Sequence, residues 1–177
     1  MSYKVEVRSL SESLASSRMI CDSFDAPDVE LGGQTYHFDR PIEFEVTLTN
    51  TGAGIVASGT ASAQVTTPCV RCLCDTCITI AAEVEGFYVR PGHEDEFPEE
   101  QEIELIGDDS TIDLEPAITQ SIVVDLPFAP VHAPDCKGIC PVCGADRNVS
   151  SCECEVAAAS SPFDALKDFD PNGPSAP

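Results

Sequence analysis

The 177-residue chain has no tryptophan, two methionines and only nine lysines and arginines, set against 31 aspartates and glutamates, for a formal charge of −22. No two of the nine cations are adjacent. That scarcity argues against a general nucleic-acid binder, because phosphate contacts need clustered Lys and Arg. It also argues against docking on anionic lipid. No stretch approaches the roughly 18–20 apolar residues that a membrane helix requires. The opening from Met1 to Arg8 has no basic region followed by an apolar stretch and a cleavage site, so a cytoplasmic protein is expected. Also missing are a P-loop, a dinucleotide fingerprint, an HExxH pair and a Ser/His/Asp nucleophile motif. The acidic residues lack the order of an EF-hand, which argues against calcium. No catalytic residue, no enzyme activity and no small-molecule substrate are expected.

Cysteine is abundant, with ten in the chain. In the cytoplasm thiols stay reduced, and paired cysteines usually mean metal. The surrounding pattern predicts a mainly β (α+β) fold: an antiparallel sheet or small sandwich, one or two short helices and a cysteine-rich zinc knuckle. Residues 1–33 form a mixed N-terminal segment with a candidate strand at 3–7 and turn chemistry around 25–33. An antiparallel β domain is expected over 34–132. In it, Ile42, Phe44, Val46 and Leu48 alternate with Glu43, Glu45, Thr47 and Thr49, the period of a half-buried strand. Residues 50–54 supply a turn, 55–67 a second strand and 77–89 a third, with Glu83 and Glu85 on its solvent side. An acidic loop over 91–110 follows, with at most a short strand at 103–106. A helix near 114–126 is expected, with Asp113 as its cap, Pro116 in its first turn and Pro127 beyond it. Residues 133–156 are the cysteine-rich segment. Residues 157–177 read as linker, a short helix at 161–169 and a tail.

Cys140-Pro141-Val142-Cys143-Gly144 is the most specific feature. Two thiolates with two residues between them bind one ion if the backbone turns tightly. Pro141 stiffens that turn, and Gly144 can take the positive φ that brings backbone amides towards sulfur. Cys152 and Cys154 can complete a set of four thiolate ligands, with Cys136 able to replace either. Soft sulfur ligands favour zinc, and four protein ligands make it structural, with no place for a water. Lys137 and Arg147 are expected to offset the charge of the centre. The earlier group contains Cys69, Cys72, Cys74 and Cys77. It can bind its own metal with His132 or Cys136, join Cys140 and Cys143 in one ribbon, or act as a redox CxxC pair, which normally needs a helix N-terminus. Cys21 is expected to be a plain buried thiol. His93, in the acidic loop, is expected to be solvated.

Several motifs in order resemble the bacterial YceD-like family, the large ribosomal RNA subunit accumulation proteins. They are Cys69-Val70-Arg71-Cys72-Leu73, then Asp125 to His132, then Cys136 to Asn148 with Cys152 and Cys154, then Ser161 to Leu166. The likeness covers roughly residues 40–169. It implies a role in ribosome biogenesis and matches Cys69, Cys72, Cys140, Cys143, Cys152 and Cys154 to motif positions. Cys74, Cys77 and the acidic loop lie outside the shared pattern. The family's gene commonly neighbours that of a small, basic, zinc-ribbon ribosomal protein. The leading expectation is therefore a non-enzymatic assembly factor with structural zinc, whose acidity suits a basic ribosomal protein or pre-ribosomal particle. Colloidal solubility, or adaptation to salt, is an equal explanation of the charge. The alternatives are direct binding of ribosomal RNA through Arg71, Lys137 and Arg147, or a thiol redox protein.

Overall fold

A computed structural model describes residues 2–97 and 102–154. Its elements in chain order are β1 (Lys4–Glu6), α1 (Arg8–Ser11), β2 (Ser17–Phe24), β3 (Val29–Leu31), β4 (Gln34–Phe38), β5 (Ile42–Asn50), β6 (Gly54–Pro68), β7 (Asp75–Val89), a 3-10 turn at Glu94–Glu96, β8 (Glu104–Leu105), β9 (Thr111–Asp113) and α2 (Glu115–Asp125). The mainly β, antiparallel fold expected from the pattern is the fold observed. It takes the form of one main sheet and a helix layer, without a second large sheet among the described residues.

The centre of the sheet is β6, which is fifteen residues long. Along one edge it pairs with β5 from Ile55 to Ser62 and then with β4 at Val65 and Thr66. Along the other it pairs with β7 over its whole length, from Gly54 opposite Val89 to Pro68 opposite Asp75. The outer strands are β2, on β5, and β3, on β4. Among the described residues only β8 runs parallel to its neighbour, pairing with Tyr88 and Val89. Period-2 patterning explains the inner face: Ile42, Phe44, Val46 and Leu48 of β5 are all buried, while Glu43 and Glu45 are exposed. On β7, Ile80, Ala82 and Val84 point inward, and Glu83 and Glu85 face solvent as expected.

The helix α2 packs on β7 and β6, and its Ala117, Ile118 and Ile122 belong to the same core cluster as the small Ala57, Ala61, Ala63 and Ala82. Burying each of the larger side chains contributes about 1.5–3 kcal/mol. The capping expectation is corrected: the helix starts one residue later than expected, and Asp113 precedes the cap. Leu114 occupies the cap position, and Asp113 Oδ1 accepts the Glu115 backbone N–H at 3.1 Å. Asp113 also accepts the Tyr3 N–H at 2.9 Å, tying the β1–β9 ribbon to the helix start. Buried Asn50 donates to the carbonyls of Leu10 and Ser13, both at 3.0 Å, and so fixes the α1 turn.

Strand β2 lies where the sequence pattern predicts none. As an edge strand it exposes most of both faces, so no alternation marks it. It also corrects the reading of Cys21. This thiol pairs across from Glu45 on the solvent side and is exposed, with Sγ 3.6 Å from Glu45 Oε2. His93 is exposed, as expected, and its Nδ1 lies 2.8 Å from Glu96. The short helix expected at 161–169 and the tail beyond it fall outside the described residues.

Candidate metal centres

The long β6–β7 hairpin ends in a tight turn that begins at Cys69. Its carbonyl accepts the Leu73 N–H at 2.9 Å, and its own N–H donates to the Cys74 carbonyl at 2.8 Å. Leu73 takes a left-handed φ of 62°. The same turn recurs at Cys140, whose carbonyl accepts the Gly144 N–H at 2.8 Å and whose N–H donates to the Ala145 carbonyl at 2.8 Å. Gly144 has φ 74°. The two turns are thus one knuckle used twice, with leucine in the left-handed position of the first and glycine in that of the second. Each turn directs amides at its leading sulfur.

Around the first knuckle the fold assembles Cys69, Cys72, His132 and Cys136, with all four donor atoms within 4.8 Å of one another. Cys69 Sγ is 3.9 Å from Cys136 Sγ, and Cys72 Sγ is 3.2 Å from His132 Nδ1. Four sulfur ligands at about 2.3 Å from a tetrahedral ion stand roughly 3.8 Å apart, so this spacing suits one ion. Cys69, Cys72 and Cys136 are buried. Burial opposes ionisation of Cys69, but a hydrogen bond from His132 and the backbone amides of Cys72, His132 and Arg71 outweigh it and draw the thiol pKa down to about 5. Those amides favour the thiolate, the form that binds metal.

The segment after Cys136 is locked onto the hairpin tip. Ile139 N–H donates to the Arg71 carbonyl at 2.9 Å, and the Arg71 guanidinium donates to the Cys136 carbonyl at 3.0 Å. Gly138, at φ 69°, sits so close that a Cβ would lie 2.9 Å from the Arg71 carbonyl oxygen. Asn148 accepts the Lys137 N–H at 2.8 Å and turns its amide nitrogen to Cys136 Sγ at 3.5 Å. It holds a ligand of the first cluster from within the loop of the second, as an outer partner of a metal site commonly does.

The second cluster brings together Cys140, Cys143, Cys152 and Cys154, again within 4.8 Å. Only Cys140 of these is buried. The amides of Cys143 and Val142, then the Cys152 thiol, draw the Cys140 pKa down to about 6 against the opposing effect of burial. Both donor sets are rich in soft sulfur, number four and leave no open position, so each fits a closed metal site.

All six cysteines singled out from spacing thus fall into two separate groups of four, which His132 and Cys136 complete. Cys136 lies with Cys69 and not with Cys152 or Cys154, and no single ribbon joins the two CxxC pairs. Cys74 is exposed, 3.1 Å from Cys72 Sγ but outside the four-donor group. Cys77 points from β7 towards Asp39, 3.8 Å away. The redox reading asked for a helix N-terminus, and two strands flank this group. Lys137 and Arg147 contribute backbone N–H groups to this region, and their side chains form no ion pair among the described residues.

Among the described residues no helix is long and apolar enough to cross a membrane. A family model described as the large ribosomal RNA subunit accumulation protein YceD matches residues 57–170. Uncharacterized proteins of Mycobacterium bovis and Mycobacterium tuberculosis are 33% identical over 104 residues, covering 58% of this chain and 50% of theirs. One from Mycobacterium leprae is 29% identical over 104 residues, covering 59% of this chain and 48% of its own. The chain thus spans about half the length of the curated relatives it matches. No solved structure matches it.

Proposed function

Because the chain belongs to the YceD family, whose name denotes large ribosomal RNA subunit accumulation, we propose that it is a non-enzymatic, cytoplasmic factor in assembly of the large ribosomal subunit. Structural zinc braces it, and its acidic surface receives a basic ribosomal protein or a pre-ribosomal particle. The observation that carries the reading is that the family match spans both four-donor clusters. Cys69, Cys72, His132 and Cys136 hold one ion, and Cys140, Cys143, Cys152 and Cys154 the other. Zinc supplies cross-linking between chain segments there and no chemistry, since neither set leaves a position for water or substrate.

The charge of −22 favours rapid encounter with a cationic partner and disfavours bare RNA. Cosedimentation from the organism's lysate tests the role. The tagged chain is expected in pre-ribosomal fractions at low salt and to be lost from them at high salt. Absence from every ribosomal fraction at low salt, with no ribosomal protein captured, would overturn it.

A second reading, direct contact with RNA, is favoured by one observation. Exposed Arg71, Lys137 and Arg147 converge on the hairpin tip, since the Arg71 and Gly138 carbonyls accept the Ile139 and Arg147 N–H groups. Affinity for ribosomal RNA that falls with added salt and with Arg71→Ala would support it.

A further inference from the structure

Beside β7 and α2 lies a groove of about 680 Å³, lined by Glu83, Glu85, Glu102, Glu104 and Asp125. Two independent features coincide there. The first is an open sheet edge. Among the described residues β7 pairs with β6 along its whole length, but on its other side only Tyr88 and Val89 are paired, with β8. Among the described residues, the stretch from Asp75 to Phe87 thus has no strand partner on that side, and its backbone groups suit an incoming strand.

The second feature is charge without a counterpart. Among the described residues no Lys or Arg forms an ion pair with these carboxylates, and the one side-chain bond is Gln120 Nε2 to Glu102 Oε2 at 3.2 Å. Burial, followed by the charges of Asp113 and Glu102, pushes the Glu104 carboxyl above its ordinary range. The rest of the sequence is acid-rich as well. Residues 98–101 and 155–177 carry Glu99, Glu100, Glu155, Asp164, Asp168 and Asp170 against Lys167 alone. A second copy brings another −22.

We infer that the open edge of β7 beside α2 takes up an extended, lysine- or arginine-rich segment of a partner protein as an added strand. The β7 residues that line the groove, Ala81, Glu83, Glu85, Gly86 and Phe87, run over a length that about seven extended residues span. Glu83 and Glu85 lie on one face of β7, so cations at alternate positions of the added strand fall beside them. Its other face meets Ala117, Gln120, Ser121 and Val124 of α2, which are uncharged, with Asp125 at the end of the helix. The preferred segment alternates basic with small apolar residues. This deepens the proposed function, on which it rests for the partner's place in ribosome assembly.

The test uses the full chain and a fluorescent Lys-Val-Lys-Val-Lys-Val-Lys peptide, read by anisotropy. Binding is expected to weaken about tenfold in Glu83→Gln/Glu85→Gln/Glu104→Gln. It should stay within about twofold in the charge-matched Glu12→Gln/Glu30→Gln/Glu43→Gln, and vanish when every internal amide of the peptide is N-methylated. Unchanged circular dichroism of both variants assures folding. Equal weakening in the two variants would overturn the groove, as would undiminished binding of the methylated peptide. The ribosomal role fails separately. A groove variant that cosediments as well as the natural chain sinks the groove alone, whereas a natural chain absent from ribosomal fractions sinks the role.

Discussion

Cys69 and Cys140 open the same turn, yet the two centres are tied into the molecule in different ways. The first gathers ligands from the tip of the β6–β7 hairpin and from a segment about sixty residues later, and three of its cysteines are buried. The second closes within residues 140–154, and only one of its cysteines is buried. Chain closure alone does not separate them by much. Cross-linking residues 69 to 136 rather than 140 to 154 differs by about 1.3 kcal/mol of loop entropy. Burial separates them more, because an unliganded thiol in the first centre is stranded away from water. With an ion in each, the first would hold the segment after α2 to the sheet, while the second would be a local clip built on that anchor.

The sharpest way to break this contrast is to remove one leading ligand from each centre. Elemental analysis of the natural chain should give two zinc ions. Cys69→Ser is expected to lose one and to destabilise the fold by more than about 4 kcal/mol, read by thermal unfolding. Cys140→Ser should lose the other at roughly half that cost, with the sheet unaffected. Loss of both ions together from either variant would mean a shared site. Equal destabilisation would erase the distinction between anchor and clip.

The identity of the fourth ligand comes next in size. Removing a protein ligand typically costs more metal affinity than removing an outer partner, for which about 10–100-fold is usual. His132→Ala should thus weaken one ion by more than about 100-fold, read by competition with a chromogenic chelator. Cys74→Ser should leave both ions bound, although its sulfur lies 3.1 Å from that of Cys72. The reverse result would assign Cys74 to the centre in place of His132.

Legibility follows the same division between near and far. The strands β5, β6 and β7 announce themselves because one face is buried and the other wet, so the alternation of Ile42 to Leu48 with Glu43 to Thr49 is visible in the chain. The edge strand β2 has no such contrast, and the exposure of Cys21 is hidden with it. In the second cluster all four cysteines fall between residues 140 and 154, so spacing suggests the group, though it leaves Cys136 as a rival to Cys152 or Cys154. The first cluster is half legible: the Cys69–Cys72 spacing marks a knuckle, but which distant residues complete it depends on how the segment from Pro130 to Ile139 docks. The Val70 N–H to the Pro130 carbonyl and the Ile139 N–H to the Arg71 carbonyl decide that, and neither bond leaves a trace in residue type. Gly138 is the exception, since a glycine two residues after Cys136 is a hint of close backbone approach. Replacing it tests the docking directly. Gly138→Ala meets both a left-handed φ and a carbonyl 2.9 Å from the new Cβ, and should cost about 2–3 kcal/mol in thermal unfolding while keeping the second ion.

The smallest effect tests whether the two knuckles are one turn. Gly144 and Leu73 occupy the same left-handed position, and a Cβ at Gly144 would have nothing within 4 Å. Gly144→Ala therefore incurs only the backbone penalty, about 1–2 kcal/mol. Leu73 already bears that penalty. Its side chain is 62% exposed and so contributes little packing in return. Leu73→Gly releases the strain, partly offset by the greater freedom of glycine in the unfolded chain, and is expected to stabilise by under about 1 kcal/mol. Opposite signs in paired thermal unfolding, with zinc content unchanged in both variants, would establish that the turn is the same. A destabilised Leu73→Gly would mean that the hairpin tip uses its leucine in a contact that the local knuckle does not need.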